Sequence, residues 1–209
     1  MIGQGVLREC LLDAGVQLVI TVGRTATGVQ HPKLREIVQR DLWNYSSIET
    51  ELSGLDACFF CLGVTSAGMS EDDYRHVTYD LTLAAATTLV KLNPSMTFIY
   101  GSGAGADSTE SGRTMWARVR GQTENALLRL PFKGVYVFRP AIIQPLHGIT
   151  SRTLSYRIFY AVMKPIFPVL RGMLPRYVTT TVQIGRAMVA IAKRGYSKRV
   201  LESADINAV

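Results

Sequence analysis

The chain has 209 residues, 47% of them hydrophobic and 19% charged, which suits one packed core and is too apolar for a disordered chain. Its net charge of +7 is unevenly spread: residues 1–112 hold seven Lys and Arg against 13 Asp and Glu, whereas residues 113–209 hold 16 against three. A basic half calls for an anionic partner such as a cofactor phosphate, a lipid head group or a nucleic acid. No apolar run reaches the roughly 18 residues of a membrane span and no signal-peptide pattern is present, so a cytoplasmic protein is expected.

Residues 3–14 read as a helix, with Val6, Leu7, Cys10 and Leu11 on one stripe and Gly15 as its stop. Residues 16–22 are short and rich in β-branched side chains, which predicts a strand. Gly23-Arg24-Thr25 turns the chain, and residues 36–39 form a second short strand ending at Asp41. A helix is expected over residues 46–52, capped by Ser46 or Ser47. Residues 56–62 are an apolar strand that Gly63 ends, and residues 71–92 a long amphipathic helix stopped by Asn93-Pro94. Residues 96–100 make a strand that opens into Gly101-Ser102-Gly103-Ala104-Gly105, whose glycines let the backbone approach a ligand. A helix over 114–130 and a strand over 135–138 follow, and then Arg139-Pro140. Strands alternating with helices of this length predict an α/β fold with a doubly wound parallel sheet.

After Pro145 the texture changes. Residues 151–176 mix Arg and Lys with Tyr, Phe, Leu and Met, interrupted by Pro165, Pro168 and Pro175. A small helical lid on the substrate side, packing against the sheet or a homodimer mate, and contact with an anionic membrane surface all stay open as readings. The prolines break any long helix and so favour the lid or packing over a membrane-peripheral role. Nucleic acid is disfavoured, because no reading module is evident. Thr180, with Gln183 three residues on, resembles a capping box for a helix running to about Lys193, and residues 199–202 suit a last edge strand. One domain is expected, with residues 1–145 as its α/β core and 146–209 as lid helices and edge strand.

Cys58 and Cys61 form a CxxC, but residues three apart on a strand face opposite sides, so both read as small core side chains. His31, His76 and His147 have no ligand spacing, and no metal site is expected.

Several motifs then stand in a familiar order. Met1-Ile2-Gly3-Gln4-Gly5 resembles the tail of a glycine-rich dinucleotide fingerprint, with Gly3 as its last glycine. Arg24, Asp41-Leu42, Cys61-Leu62-Gly63, Gly101-Ser102 and Arg139-Pro140 each follow or end a successive strand. In this order the chain resembles the atypical short-chain dehydrogenases, in particular the Tat-interacting-protein-like and epimerase/dehydratase-like members. The resemblance is good over residues 1–145 and loose beyond them.

That resemblance implies a Rossmann-like fold that binds a nicotinamide dinucleotide and an unknown small-molecule substrate. It implies a pyrophosphate site at Gly3, contacts from Asp41 and Leu42 to adenine, and a crevice lined by Cys61, Leu62, Gly63, Gly101, Pro140, Ala141 and Ile142. Arg24 stands where an acid would accept from the 2′-hydroxyl of NAD, so it implies NADP, with NAD as the alternative. The family strand order 3-2-1-4-5-6 places the first strand between residues 16–22 and 56–62. That strand is absent from this sequence, so the chain reads as N-terminally truncated, with two unpaired strand edges and weakened pyrophosphate binding.

Catalysis in the family uses a Ser that orients a carbonyl, a Tyr as general acid/base, and a Lys four residues later. Ser102 matches the Ser, while Trp116 stands in the Tyr position and Arg120 in the Lys position. Indole has only an N–H to donate, whereas Arg can still hydrogen-bond a ribose. The implied catalytic set is therefore Ser102, Trp116 and Arg120, with Tyr100 as a further candidate hydroxyl. An oxidoreductase-like protein leads, and a non-catalytic NADP-binding regulatory or scaffold protein is the alternative.

Overall fold

The computed structural model describes residues 1–149 and 167–209. Residues 150–166, and with them most of the 151–176 segment read as a lid or membrane-contacting element, lie outside the described residues. Helix α1 (Ile2–Leu12) opens the fold and leads to β1 (Val19–Gly23) and β2 (Leu34–Val38), which pair in parallel with Val19 opposite Leu34. A second parallel sheet holds β3 (Ala57–Phe60), β4 (Thr97–Gly101), β5 (Gly134–Arg139) and β8 (Val200–Glu202), in that spatial order. The α/β class and the parallel, Rossmann-like arrangement expected from the sequence are both present.

Among the described residues β1 bonds only to β2, and β3 only to β4, so each keeps one unpaired edge. Helix α1 bridges the two sheets. Its Val6 and Cys10 pack in one cluster with Val19 of β1 and with Phe59 and Cys61 at β3. The interruption falls where the expected order 3-2-1-4-5-6 would put a strand between β1 and β3.

Side chains alternate across the main sheet with the period of two that extended backbone requires. Phe98, Tyr100, Val135 and Val137 pack on one face. They meet α3 (Leu81–Leu92) and α4 (Met115–Leu128) there. Ile99, Tyr136 and Phe138 pack on the other, under α1, α6 (Thr181–Arg194) and α7 (Ser203–Ala208). Cys58 and Cys61 fall on opposite faces, as their spacing predicts, and their surroundings push both thiols up to about 12 by desolvation. Helix α1 approaches α6 unusually closely: a Cβ on Gly5 would lie 2.7 Å from the Thr181 carbonyl oxygen, and one on Gly185 2.7 Å from Cγ of Glu9.

Four local expectations change. Residues 46–52 form a 3-10 turn, Ser46–Ile48, with no side-chain cap. Tyr45, Ile48 and Leu52 have helical spacing because they bury into the core, and Gly54 then reverses the chain at φ +74°. The long helix over 71–92 is α2 (Glu71–Arg75), a π turn (His76–Asp80) and α3, in one continuous run. The Ser70 side chain caps its start. A short parallel pair, β6 (Ile142–Gln144) with β7 (Val178–Thr180), was not foreseen, nor was α7. Helix α5 (Phe167–Met173) precedes β7. Thr180 does cap α6, its hydroxyl accepting from the Gln183 amide at 3.0 Å.

Candidate functional site

A parallel sheet gathers its following loops at the carboxyl ends of its strands, which is where such folds bind ligands. Gly3 lies in the first turn of α1, and a Cβ on it would meet Cβ of Cys61 at 3.3 Å, so the helix start rests against the end of β3. The first amides of a helix have no acceptor within it and favour anions. Beyond Cys61 the chain opens. A Cβ on Gly63 would meet nothing within 4 Å, and the flanking Leu62 and Val64 are exposed apolar side chains. Arg24 is exposed just past β1. The Gln39 amide donates to the Gly23 carbonyl at 2.9 Å, so the ends of β1 and β2 emerge side by side. Asp41 is exposed and accepts from the Trp43 amide at 2.9 Å, a turn that sends Leu42 into the core.

Pro140 is buried and its carbonyl accepts from the Ala104 amide at 3.2 Å. The amides of Ala141 and Ile142 are bound inside the protein, to the Ser203 hydroxyl at 2.9 Å and the Tyr177 carbonyl at 3.0 Å. Gly101 ends β4, and a Cβ there would sit 3.4 Å from the Phe60 carbonyl oxygen. The Ala141 and Ile142 amides therefore have little left to offer a ligand.

Ser102 sits in a buried network. Its hydroxyl donates to Glu124 Oε1 at 2.5 Å, and Glu124 is only 1% exposed. Arg139 closes on the same carboxylate: Nε donates to Oε2 at 3.0 Å, and Nη2 donates both to Oε2 and to the Ser108 hydroxyl. Glu202 lies beyond, its Oε1 3.7 Å from Arg139 Nη1, and burial pushes its carboxyl above the ordinary value while Arg139 draws it back. With its hydrogen directed to Glu124, Ser102 presents only lone pairs. A carbonyl-orienting Ser must donate, so this arrangement works against that role. Glu124 escaped the sequence reading, although it stands one helical turn after Arg120 on α4.

Arg120 is different. It is half-buried, and its Nε donates to the Tyr74 hydroxyl at 3.0 Å, with Tyr74 itself 1% exposed on α2. Its Nη1 lies over Gly103, 3.0 Å from where a Cβ would stand. Among the described residues no carboxylate forms an ion pair with it: Glu124 is held by Arg139, and Glu71 by Arg118. Tyr100 is buried beside this group, and burial raises its phenol well above the ordinary value, so it is a poor proton donor.

Trp116, one turn before Arg120, packs the edge of its ring into the space that Gly105 leaves at φ +86°, where a Cβ would lie 3.1 Å from Cη2. The loop after β4 lies directly on α4. A Cβ on Gly121 would fall 1.7 Å from the Asp107 carbonyl oxygen, and the Asp107 amide donates to the Ala117 carbonyl at 2.9 Å. Asp107 in turn ties the loop, its carboxylate accepting from Thr109 and Gly112, bonds that hold it below the usual carboxylate range. Trp116 and Arg120 therefore offer hydrogen-bond donors and a fixed cation, but no group that exchanges a proton near neutral pH.

Three His/Cys/Asp/Glu side chains placed to hold a metal ion are not found among the described residues. A groove of about 500 Å³ lies between α1 and α6, at the far end of α1 from Gly3. Its charges pair with one another, Arg186 with Glu9 at 3.1 Å and Lys193 with Asp13 at 2.5 Å.

No family model matches the chain. Among curated proteins, the chain is similar to Protein FMP52-1, mitochondrial, of Scheffersomyces stipitis, at 26% identity over 145 residues. The match covers 68% of this chain and 63% of that protein, so the chain spans less than two thirds of the relative's length. Among solved structures it is similar to the Bordetella bronchiseptica enzyme WbmF in complex with NAD+ (TM-score 0.66, 14% identity, 99% of this chain and 73% of that one). It is also similar to Helicobacter pylori ADP-L-glycero-D-manno-heptose-6-epimerase (TM-score 0.66, 12% identity, 97% and 72%). A third is MalC Reductase/Diels-Alderase from Malbranchea aurantiaca (TM-score 0.62, 15% identity, 98% and 91%). At these identities the likeness is one of fold, and the fold is that of the epimerase/dehydratase-like short-chain dehydrogenases, as the motif order implied. The expectation of a cytoplasmic protein is corrected, because the curated relative is designated mitochondrial. No helix of the described residues is long and apolar enough to cross a membrane.

Proposed function

We propose that this chain, sharing the fold of the epimerase/dehydratase-like short-chain dehydrogenases, is an oxidoreductase-like protein that binds a nicotinamide dinucleotide, NADP in preference to NAD. The observation that carries the reading is the open cradle at Gly3, Cys61 and Gly63. There the start of a helix meets a strand end, Gly3 against Cys61, and the space beside Gly63 is open. A dinucleotide pyrophosphate suits such a place. The preference for NADP rests on Arg24, an exposed guanidinium where an acid would suit NAD. Arg120 is suited to hydrogen-bond the nicotinamide ribose, and Leu62 and Val64 supply apolar cover. Bound here, the dinucleotide would supply a hydride donor or acceptor.

A second reading, cofactor binding without turnover, is favoured by the Ser102–Glu124 bond and by the indole at Trp116. Titration of NADPH and of NADH against intrinsic fluorescence tests the common part. NADPH is expected to bind more tightly, and failure of both to bind at millimolar concentration would sink the proposal. Turnover of a carbonyl substrate by the unaltered protein separates the two readings.

A further inference from the structure

We propose that the Nη edge of Arg120 receives a carboxylate of the substrate, which makes the ligand of this crevice a small carboxylic acid. The inference rests on the reading of the crevice as a ligand site and names the substrate class that reading leaves open. A guanidinium taken partly out of water is unfavourable unless an anion compensates it. Arg120 is half-buried, yet its one hydrogen-bond partner among the described residues is a neutral phenol, Tyr74, on Nε. That leaves the four Nη hydrogens, and with them the fork that matches a carboxylate in two parallel bonds.

The acids near enough to serve are committed elsewhere. Both oxygens of Glu124 accept from Arg139, and Oε1 accepts from Ser102 as well. Glu71 is bonded to Arg118 at 3.2 and 2.5 Å. Arg139 shows how this chain satisfies a buried guanidinium that has no ligand to meet, with Glu124, Ser108 and Glu202 around it. Arg120 has no such set. Gly103 lets the Nη1 end of Arg120 lie against the loop after β4, since any Cβ there would press on it at 3.0 Å. A ribose hydroxyl on Arg120 would add a hydrogen bond but no charge, and Glu124, which acts on Arg120 through space, is bonded to Arg139 instead. Trp116, four residues earlier on the same helix face, offers an indole wall beside the fork.

Benzoate, with benzamide as its neutral isostere, is the probe, titrated against intrinsic fluorescence with and without NADPH. Benzoate is expected to bind at least about tenfold more tightly than benzamide, as a charge-assisted pair requires. Arg120→Gln should lose about tenfold or more of the benzoate affinity, and Arg120→Lys should recover only part, because an ammonium lacks the planar fork. Equal affinity for the two probes, or unchanged benzoate binding in Arg120→Gln, overturns the proposal. Competitive displacement of benzoate by NADPH also overturns it, since the anion site would then belong to the dinucleotide. If NADPH fails to bind while benzoate binding depends on Arg120, the carboxylate site stands and the cofactor reading falls. Thermal unfolding of each variant confirms that it is folded at the assay temperature.

Discussion

Two arginines at the carboxyl end of one sheet have been given opposite surroundings. Arg139, at the end of β5, is enclosed by a fully buried glutamate, two hydroxyl-bearing neighbours of that glutamate's network and a second, half-exposed acid. Arg120, on α4, has among the described residues one tyrosine hydroxyl as hydrogen-bond partner and lies against Gly103. The same side chain is thus a structural bolt in one place and, among the described residues, a cation with no ion pair of its own in the other. A saturated buried ion pair defines shape, whereas an unsaturated one is a candidate to meet a ligand. The contrast also reassigns Ser102. Its position matches a catalytic residue, but its bond to Glu124 places it with Arg139 rather than with Arg120.

The largest expected effect separates the two arginines directly. Arg139→Gln leaves Glu124 buried without its cation and should cost about 3–5 kcal/mol of unfolding free energy. Arg120→Gln strands no carboxylate and should change stability by less than about 1 kcal/mol. Denaturant titrations of both variants at pH 7 measure this, and equal losses would erase the distinction. Next comes Gly121→Ala. Its methyl would overlap the Asp107 carbonyl, 1.7 Å away, so the loop must lift from α4 at a cost of about 1–3 kcal/mol. Faster hydrogen exchange over residues 103–112 should accompany the loss, and an unperturbed loop would show that the close approach is not required.

Trp116→Tyr keeps an aromatic ring in the space beside Gly105 while removing the indole. It should leave the affinity for NADPH and the unfolding midpoint nearly unchanged, as calorimetric titration and melting would report. A large loss of affinity would mean that the indole, rather than Arg120, holds the cofactor. The smallest effect is at the rim, where Arg118 binds Glu71 at 2.5 Å and holds its carboxyl below the ordinary range. A carboxylate with a lowered folded-state value contributes stability that is present above its unfolded value and lost as pH falls through the folded one. Wild type and Glu71→Gln should therefore differ slightly at neutral pH and converge in acid. A gap that persists at low pH would assign the difference to packing instead.

Much of the scaffold is legible in the sequence because the signals are local. The apolar runs at Ile99, Val135 and Val137, the cap at Thr180, and the opposite-facing Cys58 and Cys61 each follow from one segment read alone. Residues 46–52 misled because burial of Tyr45, Ile48 and Leu52 imitates a helical repeat in a chain that turns instead. What stayed hidden depends on contacts between distant segments. The β6–β7 pair joins residues 36 positions apart, and no pattern in either strand names its partner. Gly5, Gly121 and Gly185 lie in helices, where glycine is unfavourable, and only the backbone or side chain that each admits explains them. For the site, Trp116 and Arg120 were found by spacing from Ser102, but Glu124 was not. Its role comes from Arg139, fifteen residues on and across a strand. The motif order points to the crevice, and only the packing tells which of its charged groups is already satisfied.

The most direct test follows the Nε–H resonances of Arg120 and Arg139 by nuclear magnetic resonance during a titration with NADPH. The Arg120 signal should shift with saturation as the ligand enters beside it, while the Arg139 signal stays in place on Glu124. A shift of Arg139, or an unmoved Arg120 in a protein that binds the dinucleotide, would contradict the assignment of one arginine to structure and the other to the ligand.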